Sequence, residues 1–335
     1  MIPQCDLSWQ AQSWQEQLMN SVKSSTELLQ RLNLSIEPAN LSEKAAKKFP
    51  VLAPHAFISR MNPGDLNDPL LRQVLNVHHE DLIASGYSSD PLDESDSNPV
   101  AGLVRKYRNR ALLIVTGKCA INCRYCFRRE FPYQENNPSR KEWGLALDYL
   151  SQHIEIDEVI LSGGDPLAVS DKHLNWLIDA ISAIPSIKRL RLHTRLPIVI
   201  PDRITSDLLS ILEDCRLTTT VVVHSNHANE IDDQVKVGLK KLKTKADFLL
   251  NQSVLLKGIN DSLNAQISLH NACTEAGVLP YYLHFLDRVN GTSHFAVSKQ
   301  QALELYTQMQ SALSGFMLPK LVIEVPGSQS KQFLY

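Results

Sequence analysis

Cys119, Cys123 and Cys126 stand within eight residues of one another, directly after the apolar run 111–115. Cysteine thiolates at such spacing hold metal, and iron–sulfur clusters are held in this way, normally by four cysteines to a cubane. Three cysteines leave one iron without a protein ligand and open to a small molecule. The competing reading is a zinc knuckle. Zinc prefers four ligands, usually as two separated pairs, and no second Cys/His pair stands at matching spacing. The remaining cysteines, Cys5, Cys215 and Cys273, are scattered along the chain. They are expected to be buried apolar thiols, not an auxiliary cluster or a disulfide framework.

The elements that must hold this loop follow from hydrophobic periodicity. From residue 110 onward, short β-rich runs at 111–116, 158–162, 189–194, 218–224, 248–255 and 279–285 alternate with helical patterns such as 171–184, 205–214 and 264–276. Strands alternating with helices argue for parallel βαβ units. The cysteine loop follows the first strand and Gly163-Gly164-Asp165-Pro166 follows the second. His193 and Arg195 end the third, His224 ends the fourth, Gln252 lies near the end of the fifth, and Asp287 follows the sixth. Polar residues thus gather at the C-terminal strand ends, where parallel α/β folds build their sites. Upstream, 8–32 and 42–49 read as helical and 69–77 as a third helix. The acidic, proline-flanked stretch 88–99 reads as a linker or surface loop.

Composition bounds the function. Of 335 residues, 43% are apolar, enough for a sizeable core, and 34 basic against 36 acidic residues give a net charge of −2. There is no global basic footprint for nucleic acid, no apolar run long enough to span a membrane and no signal-peptide pattern at the N-terminus. A soluble, cytoplasmic protein in a reducing compartment is the expectation.

These motifs resemble the radical S-adenosylmethionine superfamily, whose cluster signature has this cysteine spacing with an aromatic residue, here Tyr125, before the third cysteine. Gly163-Gly164-Asp165 resembles its glycine-rich motif, which contacts the amino group of S-adenosylmethionine. Within that superfamily the chain is similar over nearly its whole length to the lysine 2,3-aminomutase family. The similar segments are 60–72, Tyr107-Arg-Asn-Arg110, Thr194-Arg195-Leu-Pro197, Pro201-Asp-Arg-Ile-Thr205 and Asn251-Gln-Ser-Val-Leu-Leu-Lys-Gly-Ile-Asn-Asp261.

The resemblance implies a partial (β/α)6 TIM-like barrel over 101–317, behind an N-terminal helical region and linker (1–100) and ahead of a C-terminal segment (318–335). Periodicity alone would equally suit a closed barrel or a doubly wound sheet. It implies three cofactors: a [4Fe–4S] cluster on Cys119, Cys123 and Cys126, S-adenosylmethionine and pyridoxal 5′-phosphate. Lys331, in Glu324-Val-Pro326-Gly327-Ser-Gln-Ser-Lys331, matches the lysine that carries pyridoxal phosphate, although only one glycine of the family's glycine-rich run remains. Read without the resemblance, a lysine five residues from the end is a solvated tail residue. Tyr107 and Arg110 match residues that help hold the cofactor phosphate. Gly163, Gly164, Asp165, His193, Arg195, His224 and Gln252 are the further cofactor-binding candidates.

Arg128 matches the arginine that pairs with the substrate carboxylate, a task suited to a planar fork. Asp287 and Glu324 match the two carboxylates that hold the distal ammonium of lysine, Glu324 being one methylene longer than the family's aspartate. Arg129 reads as an ordinary solvated or structural cation. The activity implied is conversion of (S)-α-lysine to β-lysine by moving nitrogen from C2 to C3. The family's clostridial members carry a C-terminal extension with zinc-binding cysteines. Here the chain stops at Tyr335, and Ser262 falls where their partner cysteine would be. The short form resembles the bacterial subgroup that makes (R)-β-lysine for modification of elongation factor P by a separate ligase. An aminomutase of glutamate or arginine, or a radical enzyme without pyridoxal phosphate, are the alternatives. Stereochemistry, oligomeric state (a homo-oligomer is compatible with the sequence) and direct contact with the ligase are left open.

Overall fold

The computed structural model describes residues 8–37, 40–94, 97–131 and 140–334; Cys5 lies outside them. The runs after residue 100 form one nine-stranded sheet in sequence order. Its strands are β1 (Leu103–Val104), β2 (Arg110–Thr116), β3 (Glu158–Gly163), β4 (Arg189–Thr194), β5 (Thr218–His224), β6 (Phe248–Val254), β7 (Leu279–His284), β8 (Lys320–Ile323) and β9 (Gln332–Phe333). Strands β2 to β8 are parallel, and β1 and β9 pair antiparallel on the two edges. All six expected strands are present to within one residue at each end. The seventh parallel strand, β8, was not anticipated. Its four residues are too short a run to register as periodic, and it lies in the segment expected to be only a carrier for Lys331.

Side chains of a strand alternate between faces. Leu113, Val115, Val159, Leu161, Leu190, Leu192, Val221, Val223 and Leu249 point one way, into a large apolar cluster shared with the helices. Leu112, Ile160, Arg191, His193, His224, Gln252 and His284 point the other way and line one cavity together with residues of β1 and the segment after β8. A flat sheet could not surround a single cavity with its first strand and the segment after its eighth. The sheet is therefore curled into an incomplete barrel: six βα units, then β8, as expected of a partial (β/α)6 barrel.

Helices on the outer face are α5 (Arg140–Gln152), α6 (Asp171–Ser182), α7 (Leu196–Val199), α8 (Ser206–Glu213), α9 (Asp233–Lys243), α10 (Leu263–Glu275) and α11 (Lys299–Ala312). In α6 the buried residues are Leu174, Leu177, Ile178 and Ile181, one helical stripe against the sheet. Ser170, Thr205, Asp232, Ser262 and Ser298 cap α6, α8, α9, α10 and α11, each side chain accepting from a backbone N–H of the first turn.

The N-terminal helices are α1 (Trp14–Met19), α2 (Ser25–Arg31), α3 (Glu43–Lys48) and α4 (His55–Ile58). The expected single pattern over 8–32 is broken into pieces because Ser13 and Ser24 each cap a new helix. Trp14, Leu28, Phe57, Leu70 and Leu71 belong to the same apolar cluster as Leu113 and Leu161, so this region packs as a wall of the barrel. The expected helix at 69–77 is only a 3-10 turn at Leu71–Gln73. Asp68 is buried, and its carboxylate accepts from the backbone N–H groups of Leu70, Leu71 and Asn62. That side chain satisfies the donors a longer helix would have used. The described residues of 88–99 form a surface loop, as one of the two expectations had it, but one tied to the fold: Ser88 is bonded to Arg288 and Asn290 across the chain, and Leu92 and Glu94 are buried. Cys273 is buried in the core, and Cys215 packs at its margin.

His270, on α10, is 1% exposed, neither ring nitrogen has a hydrogen-bond partner, and burial pushes its pKa down to about 4. The unfolded chain binds a proton here near pH 6.5 while the folded protein resists it. This contribution is therefore complete above about pH 6.5 and is lost as pH falls toward 4. Between pH 7 and pH 5 the wild type should lose on the order of 1–2 kcal/mol more stability than His270→Leu, read as the difference in urea midpoints. Equal losses in the two proteins would remove His270 as the cause.

Candidate active site

At the C-terminal ends of the strands lies a cavity of ≈ 340 Å³. Cys119, Cys123 and Cys126 border it on the loop after β2. That loop is fixed by its surroundings. The Asn122 N–H donates to the Leu52 carbonyl (3.0 Å), the Arg124 N–H to the Gln73 carbonyl (2.8 Å) and the Cys126 N–H to the Cys123 carbonyl (3.0 Å). Two arginines flanking Cys126 converge on one buried carboxylate. Arg124 Nε lies 2.9 Å from Glu80 Oε1, and Arg129 Nη2 lies 2.6 Å from Glu80 Oε2. Arg129 is thus a buried structural cation, not a solvated one. Burial, reinforced by the neighbouring thiols, pushes Cys126 up to about 12 and Cys119 well above the ordinary thiol range. Such thiols become thiolates when a metal takes the proton's place.

Gly163 and Gly164 have a reason more immediate than approach to a ligand. A Cβ on Gly163, whose φ is +119°, would sit 2.6 Å from the Thr116 carbonyl oxygen, and one on Gly164 would sit 2.3 Å from the Lys118 carbonyl oxygen. The two loops are stapled there: the Gly164 N–H donates to Thr116 (2.7 Å) and the Asp165 N–H to Lys118 (2.8 Å). Asp165 is fully engaged with protein donors. Oδ1 accepts from Leu167 N–H and the Thr194 hydroxyl, and Oδ2 from the N–H groups of Arg195 and Leu196. It braces the loop after β4 and has no free lone-pair direction for a ligand ammonium. Arg195 turns toward the cysteine loop, donating to Cys123 Sγ and the Tyr125 hydroxyl (2.7 Å each), Gln73 (2.6 Å) and Glu230 (2.9 Å).

Deeper in the barrel, His193, His224 and Gln252 line the cavity with His284. Burial keeps the imidazoles neutral, His193 well below its ordinary range, His224 at about 4 and His284 at about 3. Nε2 of His193 and of His224 has no hydrogen-bond partner. The Arg110 guanidinium lies 4.0 Å over the Tyr107 ring, and no carboxylate lies within ion-pair range of it among the described residues. Burial, with the Glu324 charge adding to it, pushes the Tyr107 phenol up to about 12.

Arg128 is held bidentately by Glu94, at 2.7 and 2.8 Å, and reaches Ser162 Oγ at 3.2 Å. Glu94 was missed because its stretch has the composition of a linker; no local pattern marks a partner 34 residues away. Lys106 was also missed. Its ammonium bridges Glu94 (3.7 Å) and Glu324 (3.4 Å). Lys331 is no loose tail. After a turn at Gly327, whose φ is +75°, β9 folds back on β8, with Ile323 paired to Gln332. The hairpin sets Lys331 against Glu324, and the two side chains form an ion pair. Asp287, after β7, also lines the cavity. Burial and the nearby Glu324 charge push its pKa up to about 7.

Comparison with known proteins fits this geometry. Residues 113–248 match the family model described as the radical SAM superfamily. The chain is 48% identical to L-lysine 2,3-aminomutase of Escherichia coli strain K12 over 321 residues, 96% of this chain and 94% of that protein. The chain belongs to the lysine 2,3-aminomutase family. L-lysine 2,3-aminomutase of Haemophilus influenzae is 45% identical, covering 99% of this chain and 98% of that one. That of Clostridium subterminale is 32% identical, covering 97% of this chain and 78% of that longer protein.

The chain is accordingly an isomerase that uses a [4Fe–4S] cluster, S-adenosylmethionine and pyridoxal phosphate. Its residues fit these groups. Three convergent thiols suit a cluster with one open iron, an uncompensated guanidinium suits a phosphate, and two neutral imidazoles with unpartnered nitrogens suit polar ligand edges. Among the described residues no helix is long and apolar enough to cross a membrane.

Glu80→Gln leaves two buried guanidiniums short of their counter-charge, a change that costs about 3 kcal/mol or more. The variant should melt lower and, after reconstitution, hold less than half the wild-type iron and sulfide. Full cluster loading in a protein of unchanged melting temperature would show that the cysteine loop does not need this carboxylate.

Proposed function

We propose that this aminomutase converts (S)-α-lysine to (R)-β-lysine, that Arg128 and Asp287 receive the two ends of the substrate, and that Lys331 is the residue that carries pyridoxal phosphate. The observation that carries the reading is the convergence of the three cysteines, Arg128, Asp287 and Lys331 on one cavity. When bound, the cluster with S-adenosylmethionine supplies the radical that takes a hydrogen atom, and pyridoxal phosphate supplies the conjugated system through which nitrogen passes from C2 to C3.

The chain's own residues bind, orient and exclude water. Arg128, held against Glu94 and Ser162, presents a fixed cation for a carboxylate. The Asp287 carboxylate accepts no hydrogen bond from another described residue, and a substrate ammonium beside it would favour its ionised form. This favours a distal cation over the distal carboxylate of glutamate. Arg110 and Tyr107 suit the cofactor phosphate, while His193, His224 and Gln252 are placed to orient the bound groups without adding charge.

The R product and its use in modifying elongation factor P are supported by two features. Identity is higher to the Escherichia coli relative than to the clostridial one, and Ser262 stands at the position of the clostridial partner cysteine. On this reading the free β-lysine passes to a separate ligase in the cytoplasm.

Anaerobic turnover of (S)-α-lysine with reconstituted protein, all three cofactors and a strong reductant, followed by chiral chromatography, should yield (R)-β-lysine. The S product would reject the elongation-factor reading, and no β-lysine from a sample that still cleaves S-adenosylmethionine would reject free lysine as the substrate. Lys331→Ala should lose isomerisation by at least about a thousandfold while keeping its iron and sulfide; normal turnover would overturn the lysine's assignment. Cys126→Ala should fail to hold a cubane, which full iron loading would contradict.

A further inference from the structure

Glu94 takes one edge of the planar Arg128 fork. A guanidinium offers two paired edges, Nε with Nη2 and Nη1 with Nη2. The Glu94 oxygens lie 2.7 Å from Nε and 2.8 Å from Nη2, while Nη1 points to Ser162 Oγ at 3.2 Å. Both side chains of the pair are 6% exposed, so either charge left alone there would be costly. Arg128, Glu94 and Ser162 all line the cavity. A second carboxylate arriving from the cavity has to use the edge that carries Nη1. Glu94 does not cancel the attraction for it, since Arg128, Lys106 and Lys331 face only Glu94 and Glu324 in their row of ion pairs.

Glu94 is in turn held by its own segment. Its N–H donates to Asp90 Oδ1 at 3.1 Å. Asp93 before it has a φ of +49°, a left-handed conformation that aspartate tolerates. Leu92 is buried, and its carbonyl accepts from the Lys106 ammonium at 3.0 Å. At the other end of the segment Ser88 forms a parallel bridge with Val289. The Ser88 N–H donates to the Arg288 carbonyl (3.0 Å) and the Asn290 N–H to the Ser88 carbonyl (2.9 Å). Arg288 directly follows Asp287. The segment 88–94 therefore runs from the backbone beside Asp287 to the side chain of Arg128. These two residues stand on the loops after β7 and β2, strands that do not pair with each other.

We propose that Glu94 is the positioning residue of Arg128, and that the segment 88–94 fixes the span between Arg128 and Asp287, so that the site selects its substrate by chain length. This deepens the reading above and rests on Arg128 and Asp287 receiving the two ends of the substrate. A diamino acid that reaches both receivers gains both interactions, and one that is a methylene too short gains them only if a receiver moves. A soft site would let it move and discriminate poorly. Here Arg128 is pinned along its Nε/Nη2 edge, and the pin is anchored in the same loop that carries Asp287.

The test uses reconstituted full-length enzyme and reads the KM for lysine together with the Ki of ornithine, its homologue one methylene shorter, as a competitor. In the wild type the Ki should exceed the KM by about tenfold or more. Glu94→Gln should raise the KM for lysine by about tenfold, the loss of well-placed charge-assisted hydrogen bonding. The Ki of ornithine should stay within about threefold, so that the preference nearly disappears. Ser88→Pro removes the N–H that anchors the far end of the segment, outside the cavity and away from every charge. It should lower the preference by about threefold or more, with iron and sulfide content unchanged, and it carries the test even where Glu94→Gln folds poorly. A merely structural loss would weaken both ligands by one factor. An unchanged ratio of Ki to KM in the two variants would therefore overturn the proposal. A KM lowered in Glu94→Gln would overturn it too, making Glu94 a competitor for the substrate's place on Arg128. Arg128→Gln with an unchanged KM for lysine would instead reject the reading on which the proposal rests.

Discussion

One buried carboxylate, Glu80, determines where the cysteine loop can lie. It accepts from Arg124 and Arg129, which bracket Cys126, and both guanidiniums also sit over the Phe49 ring, at 5.2 and 5.3 Å. Three charges with almost no contact with water are tolerable only when each is paired, because an isolated buried ion costs several kcal/mol. The arrangement is therefore close to all-or-none, and this suits a loop that must offer three thiols in one geometry. The second restraint is the backbone stapling at Gly163 and Gly164, where any side chain would meet the carbonyls of Thr116 and Lys118. The third is Asp165, which ties the loop after β3 to the end of β4 and the loop beyond it through three of its four donors, Thr194, Arg195 and Leu196. The cysteine loop thus rests on two neighbouring loops and on the N-terminal wall. This is why the first hundred residues share a core with the barrel.

A second charge pattern runs along the cavity in alternating sign: Arg128, Glu94, Lys106, Glu324, Lys331. Each link is short, and no charge in the row lacks an opposite neighbour. The row runs from Arg128 to Lys331, so the two ends of the cavity are electrostatically coupled even though their residues lie far apart in sequence. Asp287 stands outside the row. Burial and, after it, the nearby Glu324 charge push its carboxyl up to about 7. A cation arriving there compensates a charge for which the protein has provided no partner. That is a more specific reason for a lysine-like distal group than the mere presence of two acidic residues.

Much of this was legible in the sequence, for identifiable reasons. The six strands from β2 to β7 are short runs rich in aliphatic, β-branched or aromatic residues between helical patterns. The chemistry-bearing residues fall at their C-terminal ends, because parallel strands place their last residues and the following loops on one side of the sheet. The cysteine spacing is a local pattern. Sequence reading failed where the deciding contact is long-range. Glu94 and Arg128 are 34 residues apart, Lys106 and Glu324 are 218 apart, and nothing local marks either pair. Lys331 reads as a tail residue until β9 is seen to pair with β8. The stretch 69–77 has helical composition, but Asp68 takes the donors of its first turn. The glycine pair was recognised for a ligand role, yet the nearest atoms that demand glycine belong to the cysteine loop.

The middle of the cavity has a different character from its ends. His193, His224 and His284 come from β4, β5 and β7, and burial together with nearby cations holds all three neutral: Arg191 and Lys331 act on His193, Arg195 on His224, and Lys331 on His284. An imidazolium at any of these positions would lose its hydration and also repel those same cations, so burial first and the cations second fix the histidines as uncharged donors and acceptors. The three rings thus offer neutral polar edges to the cavity beside the charged row. A radical reaction develops little charge at the reacting carbons and gains nothing from an ion beside them. What it needs is fixed placement and exclusion of water, which a wall of buried neutral rings supplies at a smaller desolvation cost than buried ions would.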